Sequence, residues 1–129
     1  MNPPAPPPPP AVPPVVLDAV ALGRLRELDP DGRHGVLPRV LTAFEVSLER
    51  MLGQLAAELD GGRAEAVGAI AHTLKSSAAS VGALRLAQTC EQVERAARSS
   101  GGTAQRHDVE RLIAEGRAAL AAVQAMLRP

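Results

Sequence analysis

The sequence predicts an all-α fold: an antiparallel four-helix bundle with a short additional N-terminal helix. Apolar residues return every three or four positions in one segment after another, the spacing that lines one face of a helix. Phe44 is the only aromatic residue, so the core must come from Leu, Val, Ala and a few Met and Ile, which suit packed helices better than a sheet. Glycine, proline and serine separate the periodic segments by short connections, as expected of antiparallel neighbours.

Most of the twelve prolines crowd residues 1–14. Such a run favours extended polyproline II and cannot join a packed core, so residues 1–14 are expected to form a disordered leader. Residues 15–129 then make the bundle domain, about 115 residues with one core. The Met1 start favours a free-standing protein over the tail of a larger kinase.

A short amphipathic helix comes first, with Leu17, Ala21, Leu25 and Leu28 on its inward side and Asp18 as N-cap. Pro30-Asp31-Gly32 ends it in a turn. The second helix carries the longest stripe: Leu37, Leu41, Phe44, Leu48, Met51, Leu55 and Leu59, with Pro38 tolerated in the first turn. Asp60-Gly61-Gly62 breaks that pattern. A third helix is predicted over 63–80, and Gly82 can take the left-handed conformation that stops it. The fourth, over 83–98, buries Leu86, Cys90, Val93 and Ala97 and ends at Ser99-Ser100-Gly101-Gly102. The last, over 105–127, turns Val109, Leu112, Ile113, Gly116, Leu120, Val123 and Leu127 inward.

Composition removes several classes of function. Fourteen basic side chains balance fourteen acidic ones, so there is no basic field for nucleic acid, and the near-absence of aromatics leaves nothing for bases to stack on. Cys90 is the only cysteine, which excludes an intrachain disulfide and a cysteine-based zinc site. Neither a secretory signal nor an apolar run of roughly 20 residues is present, so a cytoplasmic protein off the membrane is expected. The chain also lacks a glycine-rich phosphate loop, which argues against autonomous kinase activity.

Lys75 is the only lysine, and it stands three residues after His72 in a chain that otherwise uses arginine. A compact ammonium one helical turn from a nucleophilic imidazole can hold an anion against it, which points to phosphoryl chemistry. At ~100° per residue, Val67, Ile70, Ala71, Leu74, Ala78 and Val81 face the core and His72 lies roughly 150° away, toward solvent. Gly68, Ala69, Ser76 and Ala79 share its surface. Four small residues where a helix usually carries long charged side chains make a docking surface on which a partner backbone can approach closely. His34 and His107 are not spaced from His72 as a ligand pair, so no metal site and no cofactor is expected.

The run His72-Thr73-Leu74-Lys75-Ser76-Ser77, followed by Gly82-Ala83, Leu86, Cys90 and Val93-Glu94, resembles the signature of histidine-containing phosphotransfer (HPt) domains. The resemblance extends more loosely, through helix number and order, over about 16–127. It implies that His72 is the phosphoacceptor and Lys75 the phosphoryl-stabilising residue, with Arg98 aligned to a second basic residue that some members place near the phosphate. For Arg98, an i,i+4 pair with Glu94 is an equally good reading. The sequence departs from the family at Ser76, often Gly, and at Ala78, commonly a hydroxyl residue; Ser76 bears on partner choice or phosphohistidine lifetime, Ala78 on packing.

By this resemblance the chain is a phosphorelay intermediate. It accepts a phosphoryl group on His72 from a receiver-domain aspartyl phosphate and passes it to another receiver aspartate. The implied partners are response-regulator receiver domains, which bring their own Mg²⁺, and a hybrid sensor histidine kinase. The alternative is a helical adaptor that docks on and inhibits a receiver or kinase without being phosphorylated.

Overall fold

The computed structural model describes residues 3–6 and 16–129. The expected leader therefore lies largely outside the described residues, and only residues 3–6 of it are seen, exposed and without secondary structure. Five helices follow: α1 (Ala19–Glu27), α2 (Val36–Ala57), α3 (Ala64–Ser80), α4 (Leu84–Arg98) and α5 (Arg106–Leu127). Helices α2–α5 form the antiparallel bundle. The most extensive packing joins α3 to α4 and α2 to α5; α4–α5 and α2–α3 contacts close the ring, and α1 leans on α2.

The stripe on α2 packs as its spacing requires. Leu41, Phe44, Leu48, Met51 and Leu55 are buried, with Leu37 and Leu59 partly buried at its ends. Pro38 is the third helical residue, where its missing N–H leaves no intrahelical bond unmade. Val109, Leu112, Ile113, Gly116 and Val123 line α5, while Leu120 and Leu127 pack on the core from its margin. Gly116 is a close approach: a Cβ there would stand 2.7 Å from Leu52 Cδ2.

Helix α1 differs from expectation. Its carboxylate N-cap is Asp18, which accepts from Ala21 N–H at 3.1 Å, but Leu22 is its buried residue and Leu28 is 70% exposed. The helix ends at Glu27, so helical spacing no longer governs Leu28. The chain instead turns to bury Asp29, whose carboxylate accepts from the backbone N–H groups of His34 and Val36. Asp29 thereby caps the start of α2 from outside, because the N-cap residue Gly35 has no side chain to do so. Ala97 on α4 is also less buried than predicted and is only partly covered.

Gly82 has two functions. At φ +78° it closes α3 with paired bonds, Gly82 N–H to Ala79 O at 3.1 Å and Ala83 N–H to Ala78 O at 2.8 Å. Its carbonyl also accepts from Asp18 N–H at 2.7 Å, and a Cβ at this position would meet Asp18 N at the same distance. The glycine thus lets α1 seat on the α3–α4 turn. A Gly82→Ala variant is expected to lose at least about 1–2 kcal/mol from the left-handed backbone alone, with more from the displaced α1 contact, as read from urea unfolding.

At the opposite end of α3 the α2–α3 and α4–α5 connections are joined. Ala64 N–H donates to Gly102 O at 3.0 Å and Ala104 N–H to Gly62 O at 2.8 Å, an isolated bridge around Arg63 and Thr103 rather than a strand. Beyond α5, Arg128 closes a two-point ion pair on the buried Glu45 of α2, at 2.8 and 3.1 Å.

Candidate functional site

His72 lies mid-way along α3 on the face opposite Val67, Ala71, Leu74 and Ala78, all of which are buried to 1% exposure or less. Its side chain is 70% exposed. Ala69, Ser76 and Ala79 are exposed on the same surface, and Gly68 is partly buried. The reason for glycine at 68 is partly internal: a Cβ would come to 3.3 Å from the Cβ of Ala97, so the small residue sets how closely α4 approaches α3. A cleft of about 380 Å³ opens there, lined by Gly68, Glu94, Ala97 and Arg98 among others.

Glu94 organises the site. It lies on α4 one turn beyond Cys90, on the inward stripe, and its side chain is only 9% exposed. His72 Nδ1 stands 2.8 Å from Glu94 Oε1, Lys75 Nζ donates to Oε2 at 3.1 Å and an Arg98 guanidinium nitrogen donates to Oε1 at 2.7 Å. Lys75 is thus held beside His72 through a shared carboxylate, and Arg98 makes its i,i+4 pair while reaching the same place. The bonds from Arg98, Lys75 and His72 together hold the Glu94 carboxyl down at about 2, against the opposing cost of burial.

An ionised carboxylate only accepts, so Nδ1 is the nitrogen of His72 that donates to it, and in the neutral ring Nε2 is then the nitrogen with the lone pair. That leaves Nε2 of an exposed ring open to solvent, with two cations at hand. The thiol beneath the site is not a competing nucleophile: burial and the nearby Glu94 charge push Cys90 up to about 12. Among the described residues no three His, Cys, Asp or Glu side chains gather as a metal site requires. No helix among them is long and apolar enough to cross a membrane.

Sequence reasoning placed His72, Lys75 and Arg98 in one region but assigned no role to Glu94 beyond a pairing partner. The available signal was its register: Leu86, Cys90 and Val93 mark the buried stripe of α4, and Glu94 falls four residues after Cys90, where an apolar side chain is expected.

The depressed carboxyls give a signed pH dependence. Glu94 is ionised in the fold down to about 2 but protonates near its ordinary 4.5 when unfolded. Within that window the unfolded chain binds more protons, so stability falls as pH falls. Asp29 and Glu45 are lowered too: burial raises Asp29 but backbone N–H donors outweigh it, and the Arg128 bond lowers Glu45. The thermal midpoint is expected to hold above pH 4.5 and decline toward 2, and a Glu94→Gln variant to show a shallower decline.

Comparison with known proteins identifies relatives of this fold. The Hpt domain family profile matches residues 39–127. Among solved structures, histidine-containing phosphotransfer protein B of Pseudomonas aeruginosa PAO1 superposes with a TM-score of 0.70 at 28% identity, covering 88% of this chain and 91% of that one. A histidine-containing phosphotransfer protein from maize gives 0.68 at 28% identity, covering 88% and 90%. Comparison with curated proteins finds no match. The chain therefore belongs to the Hpt domain family, whose role is phosphotransfer in two-component signalling.

Proposed function

We propose that the chain is a phosphorelay intermediate, taking a phosphoryl group on Nε2 of His72 from a receiver aspartyl phosphate and passing it to another receiver aspartate. The observation that carries this reading is the ring's setting: 70% exposed, with Nδ1 tied to Glu94 and Nε2 left to react. In-line transfer spreads charge over three equatorial oxygens, so positioning and cations supply most of the catalysis. Lys75, with Arg98 behind it, supplies the cations from this side; the receiver supplies Mg²⁺ from the other. The small surface of Ala69, Ser76 and Ala79 lets the receiver approach, and a hybrid sensor kinase is the source of the phosphoryl group.

The test is incubation with a phosphorylated receiver domain. Label should move to this chain and prove acid-labile and alkali-stable, as a phosphoramidate is; no transfer from any receiver would reject the relay. Lys75→Ala is expected to slow transfer about tenfold to a hundredfold. Its thermal midpoint should stay within about 4 °C of the parent, because Arg98 and His72 still bond the Glu94 carboxylate once the ammonium is gone.

A further inference from the structure

Beside His72 the cleft between α3 and α4 offers about 380 Å³, room for one long side chain of a partner. The buried Ala64 and the half-buried Gly68 and Ala97 give it an apolar lining. Glu94 and Arg98 bound it on α4, and the exposed Glu65 brings a carboxylate from α3. These charges are not equally engaged. Glu94 is held by His72, Lys75 and Arg98. Arg63, two residues before Glu65, is taken by Glu58, to which it donates from its backbone N–H at 3.0 Å and its guanidinium at 3.2 Å. With Arg63 and Arg98 both committed elsewhere, Glu65 makes no ion pair among the described residues. Its place in the first turn of α3 accounts for an acidic residue there, but not for the cavity alongside it.

Its position relative to His72 decides what could use that carboxylate. At 1.5 Å per residue Glu65 stands about 10 Å before His72 along the helix axis, two turns away on the same face. Helical side chains lean toward the N-terminus, so a protein that reaches the imidazole also comes down over Gly68 and Ala69. Glu65 is the next charged side chain of α3 that it meets. A receiver carries an aspartyl phosphate or a carboxylate into this neighbourhood. An unpaired Glu65 opposes that approach, and a cation placed on it removes the opposition.

We propose that this cleft is a docking subsite for a lysine or arginine side chain of the partner receiver, its stem laid along Ala64, Gly68 and Ala97 and its charge set on Glu65. This rests on the relay reading above. Lysine and arginine bury their aliphatic stems on apolar surface while the head keeps a polar contact, and the cleft supplies both. A receiver with no basic side chain at that point leaves Glu65 facing its own acidic centre. The subsite therefore selects among receivers as well as steering the right one into place.

The test follows phosphoryl exchange between the full chain and a receiver that serves the parent, and repeats it with Glu65→Gln. Gln keeps the length and the helix propensity but removes the charge. The KM for the receiver is expected to rise about fivefold at low salt with kcat within about twofold, and the difference to close toward ~0.5 M salt. Labelling of His72 by phosphoramidate, a small donor that needs no receiver, should be unchanged. Glu110→Gln removes the same charge from α5, where Glu110 pairs with Arg106, and should leave KM alone. On the receiver, replacing one Lys or Arg with Ala should reproduce the loss and add nothing to it when combined with Glu65→Gln. Equal KM and salt dependence in the parent and Glu65→Gln, or an equal rise in Glu110→Gln, would overturn the subsite and leave the relay standing. A parent that exchanges with no receiver overturns the relay, and the subsite with it.

Discussion

Replacing His72 with Gln is expected to abolish acid-labile phosphorylation completely while leaving the fold intact. The ring is 70% exposed and touches the rest of the protein through one hydrogen bond, so its loss removes almost no packing. Gln is a good helix former, and the neighbours on that face, Ala69, Ser76 and Ala79, are themselves exposed. What disappears is the exposed imidazole that stands beside two cations. The same variant separates the relay from the adaptor reading. A protein that only blocks a receiver by docking keeps its affinity without the imidazole, because Ala69, Ser76 and Ala79 are unchanged. Calorimetry with a receiver, run beside the phosphorylation assay, gives both answers. Retained binding with lost label is the result expected of a relay, whereas inhibition that survives in the variant would support the adaptor.

The second large effect is on stability. Leu48→Ala should lower the unfolding free energy by about 2–5 kcal/mol. Leu48 is fully buried on α2, and its Cδ1 is 3.6 Å from where a Cβ on Gly116 of α5 would stand. The α2–α5 contact is among the most extensive of the bundle, and backbone held so closely has little freedom to collapse into the space. A domain of this size has about 5–15 kcal/mol in total, so the thermal midpoint should fall by roughly 10–20 °C. His72 lies on α3, away from the substitution, so phosphoryl acceptance measured well below the new midpoint should match the parent. A midpoint within a few degrees of the parent would mean that the α2–α5 seam repacks freely.

Much of this protein could be read from residue spacing. The stripe from Leu37 to Leu59, the glycine stop at Gly82 and the outward position of His72 follow from helical periodicity and backbone conformation, which depend on neighbours a few positions away. Leu28 escaped that logic because it lies one residue past the end of α1, where the burial of Asp29 decides the direction of the chain. The cap that Asp29 provides to α2, the Glu45–Arg128 pair and the bridge around Arg63 and Thr103 all join residues that local pattern cannot pair.

The exposed imidazole and its nearest cation were visible for the same local reason: Lys75 lies one turn from His72 on a single helix. Their shared anchor was not. Glu94 is 22 residues from His72, and its part depends on how closely α4 packs on α3 at Gly68 and Ala97. Periodicity shows which side of a helix meets the core, because each side chain's direction follows from the backbone. It carries no information on which side chain of a second helix will stand opposite. That depends on crossing geometry and side-chain volume, and here it anchors an exposed histidine to a buried carboxylate.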